Sequence, residues 1–171
     1  MAILPLVKAP DPRLKQISKP VEKIDADLNR FIADMVDTMY AANGIGLAAI
    51  QVGVPLRLAV IDLDPKGPKS KVLTIVNPVI LETSSEAALF NEGCLSVPEV
   101  WDDVNRAARV KVEYLDEHWQ KQTADADGLF AICLQHEIDH INGKLFVDHL
   151  SKLKRSIALR KSAKMKRQAK G

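Results

Sequence analysis

The chain has 171 residues, 47% apolar and 27% charged, which fits one globular domain with a buried core and excludes a disordered or fibrous chain. Its formal net charge of +2 hides a split. Residues 151–171 hold nine Lys/Arg and no acid, which leaves 15 bases against all 22 acids in residues 1–150, a net of −7.

The start, Met1-Ala-Ile-Leu-Pro-Leu-Val7, lacks the basic region and cleavage site of a signal peptide. Two cysteines, Cys94 and Cys133, form no Cys-x-x-Cys pair, so a disulfide scaffold is excluded and free thiols are expected. No apolar run approaches the roughly 18 residues of a membrane span. A cytoplasmic protein is expected.

The first ten residues and the turn Pro10-Asp11-Pro12 read as irregular. From Asp25 to Asn43, Leu28, Phe31, Ile32, Met35 and Met39 recur at helical spacing, with Asp25 and Asp27 in front and Asn43-Gly44 behind. This predicts an amphipathic helix. The next segment, Gly44-Ile-Gly-Leu-Ala-Ala-Ile-Gln-Val-Gly53, combines glycines that admit close backbone approach with one amide, Gln51, in an apolar run. It lacks the third Gly and the preceding strand of a dinucleotide site, and alone reads as a turn.

Leu56–Leu63, Val72–Val76 and Val79–Leu81 are rich in branched apolar residues and bounded by Pro, Gly and Asp, and Val110–Leu115 alternates; these are the predicted strands. Between them, Glu92-Gly-Cys94-Leu-Ser-Val-Pro98 reads as a loop, and Cys94 in that context as a small buried hydrophobe. A second helix is expected from Gly128 to Ile141, with Asp127 as N-cap and Gly143 past its end. Strands and helices segregate, so the fold class is α+β, mainly antiparallel sheets around a central buried helix. Residues 1–150 form the body and 151–171 a basic C-terminal helix, not an independent domain. In that tail Leu150, Leu153 and Ile157 form an apolar stripe suited to docking, which fades beyond Arg160.

The second helix carries the chemistry. Leu129–Leu134 is apolar all round, yet the helix continues Gln135-His136-Glu137-Ile138-Asp139-His140. Burying two imidazoles and a carboxylate without partners would cost several kcal/mol, so something must compensate them. His136 and His140, four apart, share a face and are placed to grip one ion, and Glu137 beside them can carry a proton of a water on that ion. The alternative is two hydrogen-bonded core histidines and a salt-bridged Glu. A metal needs a third ligand. The position of the His found in many zinc proteases holds Phe146, and no Glu follows Glu137. Asp148, His149, His118 and Cys94 stay open as donors.

Gly-Ile-Gly-Leu-Ala-Ala-Ile-Gln, Glu-Gly-Cys-Leu-Ser and Gln-His-Glu-Ile-Asp-His, in this order, closely resemble the three motifs of the peptide deformylase family, over nearly the whole chain. The resemblance implies that Cys94, His136 and His140 bind one divalent metal, Fe(II) first and Zn(II), Ni(II) or Co(II) as alternatives. It implies hydrolysis of the N-formyl group of the initiator methionine, releasing formate. Glu137 would then be the proton carrier, and the Gln51 amide and Leu95 N–H the donors to the formyl oxygen. Ile45 and Gly46 match positions that meet the peptide backbone. Ile45, Glu92, Leu129, Ile132 and Cys133 match the wall of the methionine pocket. Arg106 and Asp139 are expected to pair behind the ligand helix, and Trp101 to cover the peptide or pack. His118 reads as a turn residue and His149 as a surface or tail-docking one.

The expected partners are the formylmethionyl nascent peptide and, through residues 151–171, the ribosome, with neither DNA nor a membrane among them. Two rival readings remain at this point. One is a zinc endopeptidase, against which Phe146 and the missing downstream Glu count. The other is a non-catalytic ribosome-associated module, suggested by the tail alone.

Overall fold

The structure, a computed structural model, describes residues 2–169; Met1, Lys170 (the last base counted in the tail) and Gly171 lie outside the described residues. Helix α1 runs Ala26–Ala41, where the Asp25 side chain accepts the Leu28 N–H at 2.8 Å and so serves as its N-cap. The helical spacing read from the sequence puts Ile32, Met35 and Met39 on its buried face. Seven strands follow α1: β1 Gly46–Ala48, β2 Leu58–Ile61, β3 Leu73–Thr83, β4 Ala87–Cys94, β5 Val97–Ala107, β6 Arg109–Leu115 and β7 Lys121–Asp127. Helix α2 is Gly128–Ile141, and α3 is Lys152–Ala169.

All strand pairs are antiparallel, in a five-stranded sheet ordered β1-β2-β3-β6-β7 and a separate β4-β5 hairpin. Strand β2 is buried on both faces, which explains its unbroken apolar run. Leu58 and Val60 pack with Met35 and Met39 of α1, while Ala59 and Ile61 turn the other way, toward α2. There Ile75, Val110, Val112 and Tyr114 meet Ala131, Leu134 and Ile138. A further core joins β5 (Val97, Val100, Val104) to Phe146, Val147 and Ala158. Helix α2 thus lies between the large sheet and the hairpin, as the α+β expectation required.

At the end of α2, Gly143 has φ +77°, and a Cβ there would lie 2.5 Å from the Lys15 carbonyl oxygen. Only glycine fits that close backbone crossing.

Several details differ from the sequence reading. The Cys94 segment is not a loop: Cys94 closes β4, only Leu95 and Ser96 intervene before β5, and Cys94 pairs with Val97 across the turn. Apart from Val72, Val72–Val76 and Val79–Leu81 fall in one strand, β3, whose register shifts between Val76 and Val79, where Pro78 has no N–H to donate, and again between Ile80 and Glu82. Asp127 stands at the α2 N-cap without a side-chain capping bond. In the β6–β7 turn Trp119, at φ +61°, takes the left-handed place a glycine would fill.

The tail docks, but of its predicted stripe only Leu150 packs on the body. Leu153 and Ile157 are 71% and 54% exposed, whereas Ala158 and Ser162 are buried. Small residues let α3 approach the body closely. The Ser162 hydroxyl donates to the Ala9 carbonyl at 2.7 Å, and Lys154, Arg155 and Lys166 pair with Asp102, Asp148 and Asp11. The docking extends past Arg160.

Candidate metal centre

Three elements bring the site together. Helix α2 supplies His136, Glu137 and His140, the end of β4 supplies Cys94, and β1 with the 3-10 turn Ala49–Val52 supplies Gly46 and Gln51. The i, i+4 spacing sets the two imidazole Nε2 atoms 3.2 Å apart. Cys94 Sγ lies 3.3 Å from His140 Nε2, and all three ligand atoms fall within 4.8 Å of one another. Around a tetrahedral ion, bonds of about 2.1 Å to nitrogen and about 2.3 Å to sulfur give edges of about 3.4 and 3.6 Å. The two short separations agree to within a few tenths of an ångström, so this donor set fits one divalent cation. No other group of three His, Cys, Asp or Glu side chains among the described residues converges in this way.

Glu92 lies behind this cluster. It is 5% exposed, and its carboxylate accepts from Arg106 Nε and Nη2 at 2.6 and 3.0 Å and from His136 Nδ1 at 2.9 Å. Burial pushes the Glu92 carboxyl up, but these hydrogen bonds outweigh it and hold the group below its ordinary value. Ionised, Glu92 can only accept. His136 therefore donates through Nδ1–H, and its Nε2 faces the other two ligand atoms.

Burial would also lower the His136 imidazole, yet hydrogen bonds to Cys94 and Glu92 raise it to about 10. A proton there meets the demand for positive charge that a cation would meet. His140 is held well below its ordinary value by burial and by His136, and so stays neutral, the form a ligand needs.

Burial pushes the Glu137 carboxyl up to about 7. Its Oε2 is buried without a hydrogen-bond partner, and so is His140 Nδ1. A buried acid poised near neutrality can both take and give a proton at physiological pH. Gly46 is what makes room for it: a Cβ there would sit 2.5 Å from Glu137 Oε1.

Gln51 is 1% exposed and held at both ends. Its Oε1 accepts the Ala48 N–H at 2.9 Å, and its Nε2 donates to Ser96 Oγ at 3.1 Å and faces Cys94 Sγ at 3.5 Å. The Ser96 N–H donates to the same sulfur at 3.4 Å. These donors suit a sulfur that carries negative charge.

A cavity of about 510 Å³ opens over the site. Ile45, Gly46, Gln51, Glu92, Cys94, Leu95, Leu129, Ile132, Cys133, His136 and Glu137 all line it, while His140 lies behind at 1% exposure. Burial, with the Glu137 and Glu92 carboxylates nearby, pushes the Cys133 thiol up to about 12, so it forms neutral wall. Trp101, 68% exposed, lies against Gly93 at the rim. Phe90 and Asn91 of β4 also line the cavity; the sequence reading missed them because it found no strand there.

The expected Arg106–Asp139 pair is present at 2.8 Å. His149 is exposed, as a surface residue should be, but its Nε2 also meets Asp139 Oδ2 at 2.7 Å, a contact the sequence did not announce. Asp148 pairs with Arg155, and His118 stands 73% exposed on its turn, so neither reaches the ligand cluster. Phe146, where a protease would carry its third His, stacks on the His136 ring with centroids 6.3 Å apart.

The sequence model of the Polypeptide deformylase family matches residues 3–156. Among curated relatives, the peptide deformylase of Rhizobium meliloti is 51% identical over 164 residues, covering 96% of this chain and 94% of that one. That of Brucella suis is 52% identical over 165 residues, with the same coverages. Among solved structures, a peptide deformylase from Legionella pneumophila superposes with a TM-score of 0.93 at 51% identity, covering 99% of each chain. One from Ehrlichia chaffeensis in complex with actinonin superposes with a TM-score of 0.91 at 42% identity, covering 98% of this chain and 99% of that one.

Proposed function

Because the chain belongs to the polypeptide deformylase family, we propose that Cys94, His136 and His140 hold its metal and that Glu137 moves the proton. The activity is the family's: metal-dependent hydrolysis that removes the N-formyl group from the terminal formylmethionine of newly made peptides, releasing formate. One observation carries the site assignment. Three ligand atoms converge within 4.8 Å beside a buried carboxyl with an unpartnered oxygen.

When bound, a divalent ion supplies Lewis-acid activation of water and of the formyl carbonyl. The chain's own residues do the rest. Glu137 takes the proton from the attacking water and passes it to the leaving amine. The Gln51 amide and the Leu95 N–H donate to the oxygen on which negative charge develops. Ile45 and Gly46 bind the peptide backbone along the β1 edge. Ile45, Glu92, Leu129, Ile132 and Cys133 enclose the methionine side chain, Glu92 with its charge turned back onto Arg106 and His136. The resemblance supports Fe(II) as the resident ion, and Zn(II), Ni(II) and Co(II) suit the same sulfur and nitrogen donors.

We assign residues 1–150 to catalysis and 151–171 to a ribosome-binding extension. Lys152, Arg160, Lys164 and Arg167 are exposed and make no ion pair among the described residues, which supports an RNA-facing role for α3. None of the described helices is long and apolar enough to cross a membrane. A nascent-chain substrate supports a cytoplasmic location.

Anaerobic purification with metal analysis and a formate-release assay tests the site. The unaltered protein and Glu137→Gln should each carry one metal equivalent, and Cys94→Ser should lose it. Glu137→Gln should lose about 10²–10⁴ in rate. Full activity in metal-loaded Glu137→Gln would sink the assignment. The Ehrlichia chaffeensis relative binds actinonin, and displacement of that compound from this cavity gives an assay independent of turnover.

A further inference from the structure

The polar contacts behind His136 continue past Glu92. Arg106, 6% exposed, is shared between two carboxylates: its Nε and Nη2 donate to Glu92, and its Nη1 donates to Asp139 Oδ2. The same Asp139 oxygen meets His149 Nε2 at 2.7 Å. A carboxylate only accepts, so the His149 proton sits on Nε2 and is donated to Asp139. The 3.5 Å separation of Arg106 Nη1 and His149 Nε2 is then a contact between two donors on one acceptor. His149 closes the 3-10 turn Phe146–His149, whose other end stacks on the His136 ring.

We infer that His149 is a positioning residue for the metal ligands, acting through Asp139, Arg106 and Glu92 on His136. The inference rests on the metal assignment proposed above. Its physical basis is competition for one guanidinium. Asp139, immediately before His140 in the chain, and Glu92, the acceptor of the His136 Nδ1–H, both draw on Arg106. The His149 donor satisfies part of the Asp139 demand. Without it, Arg106 is drawn toward Asp139 and away from Glu92, and Glu92 loses the two bonds that hold it square to the His136 ring. His136 Nε2 then points less well at the shared ligand position. Outer partners of this kind tune metal affinity because they set the tautomer and rotation of the ligand ring.

The test uses the full-length protein loaded with Co(II), whose thiolate absorption band reports the bond to Cys94. Direct outer partners are worth about 10–100-fold in metal affinity. His149 acts through three intermediaries, so His149→Phe should release Co(II) to an excess of chelator at the low end of that range, about tenfold faster. At saturating metal, kcat on a formyl-Met peptide should fall with KM unchanged. His149→Gln, which retains an N–H donor, should stay within about threefold of the unaltered protein. If Phe costs the fold, His149→Asn, whose donor is too short to reach Asp139, takes its place.

Release at the original rate from His149→Phe or its replacement overturns the inference. So does a Gln variant as leaky as Phe, since packing alone would then explain the loss. If the unaltered protein shows no thiolate band with Co(II), the metal assignment falls, and this inference with it. A normal band with unchanged release from the variants removes His149 alone.

Discussion

Gly46→Ala is the sharpest probe of the centre. A Cβ at residue 46 lies 2.5 Å from Glu137 Oε1, 3.0 Å from its Cδ and 3.3 Å from its Cγ. An ordinary contact begins near 3.4 Å, so Oε1 must retreat by 0.9 Å. Glu137 is 4% exposed on a helix packed between the large sheet and the hairpin, so the carboxylate must swing while the helix stays. A displacement of about 1 Å in a reacting group costs on the order of 10² in rate. Formate release from a formyl-Met peptide should therefore fall about 100-fold in Gly46→Ala. Its metal content should be unchanged, because no ligand atom lies among the nearest contacts of that Cβ. Thermal melting of the metal-loaded protein separates this from a folding loss. A Gly46→Ala protein with full metal and full kcat/KM would refute the argument, since Glu137 would then not need the space that glycine leaves.

Other expectations follow from the fold. Asp62 is 1% exposed; burial raises its carboxyl, but hydrogen bonds from Tyr40, Ser70 and the N–H groups of Asp64 and Lys71 outweigh that and lower it to about 2. A lowered carboxyl stabilises the fold above its unfolded value of 3.8 and loses that contribution as pH falls through about 2. In urea titrations the advantage of the unaltered protein over Asp62→Asn, about 1–2 kcal/mol at pH 6, should shrink steadily between pH 4 and about 2. A pH-independent difference would refute the linkage. Gly143→Ala puts a side chain at φ +77° and 2.5 Å from a backbone oxygen that cannot yield, and should cost about 2–4 kcal/mol by urea unfolding. A loss under about 0.5 kcal/mol would mean that the α2 terminus relaxes freely. If Lys152, Arg160, Lys164 and Arg167 meet phosphates, log affinity for ribosomes should fall with log salt at a slope of about −3, and replacing these four with Gln should flatten it. An unchanged slope would make α3 a structural element only.

Much of the site was legible because its chemistry is local in the chain. His136, Glu137 and His140 lie within five residues on a helix whose apolar upstream half announces burial. The hairpin that completes the site was not legible. Strand β5 has a positive φ at Glu99, which breaks the alternation after Val97. Beyond it the inward positions are Val100, Asp102, Val104 and Arg106, and the two charged ones hide the period-2 pattern. Strand β7 reads Lys-Gln-Thr-Ala-Asp-Ala-Asp, poor in β-formers, and is held by a continuous ladder with β6. The exposed Leu153 and Ile157 misled for the opposite reason. An apolar stripe marks a face that could bury, but ion pairs at Lys154, Arg155 and Lys166 and the small Ala158 and Ser162 decide which face does.

The hairpin also answers the cost that α2 raises. A helix with two imidazoles and a carboxylate in its most buried turns would be unstable alone, and the large sheet offers α2 chiefly apolar contacts. Compensation comes from the far side. Glu92 and Arg106 stand in adjacent strands of the hairpin, with Cys94 two residues beyond Glu92. One short ribbon thus delivers the sulfur that converges on the histidines, the carboxylate that orients His136 and the guanidinium that joins His136 in keeping that carboxylate ionised. The turn at Leu95-Ser96 adds the N–H on the Cys94 sulfur and the hydroxyl that receives Gln51. The site is therefore an interface between the hairpin and the body. A change that loosens the β4–β5 ladder without touching any named residue should weaken metal retention before it unfolds α2, because the hairpin carries the polar partners and the large sheet carries the packing.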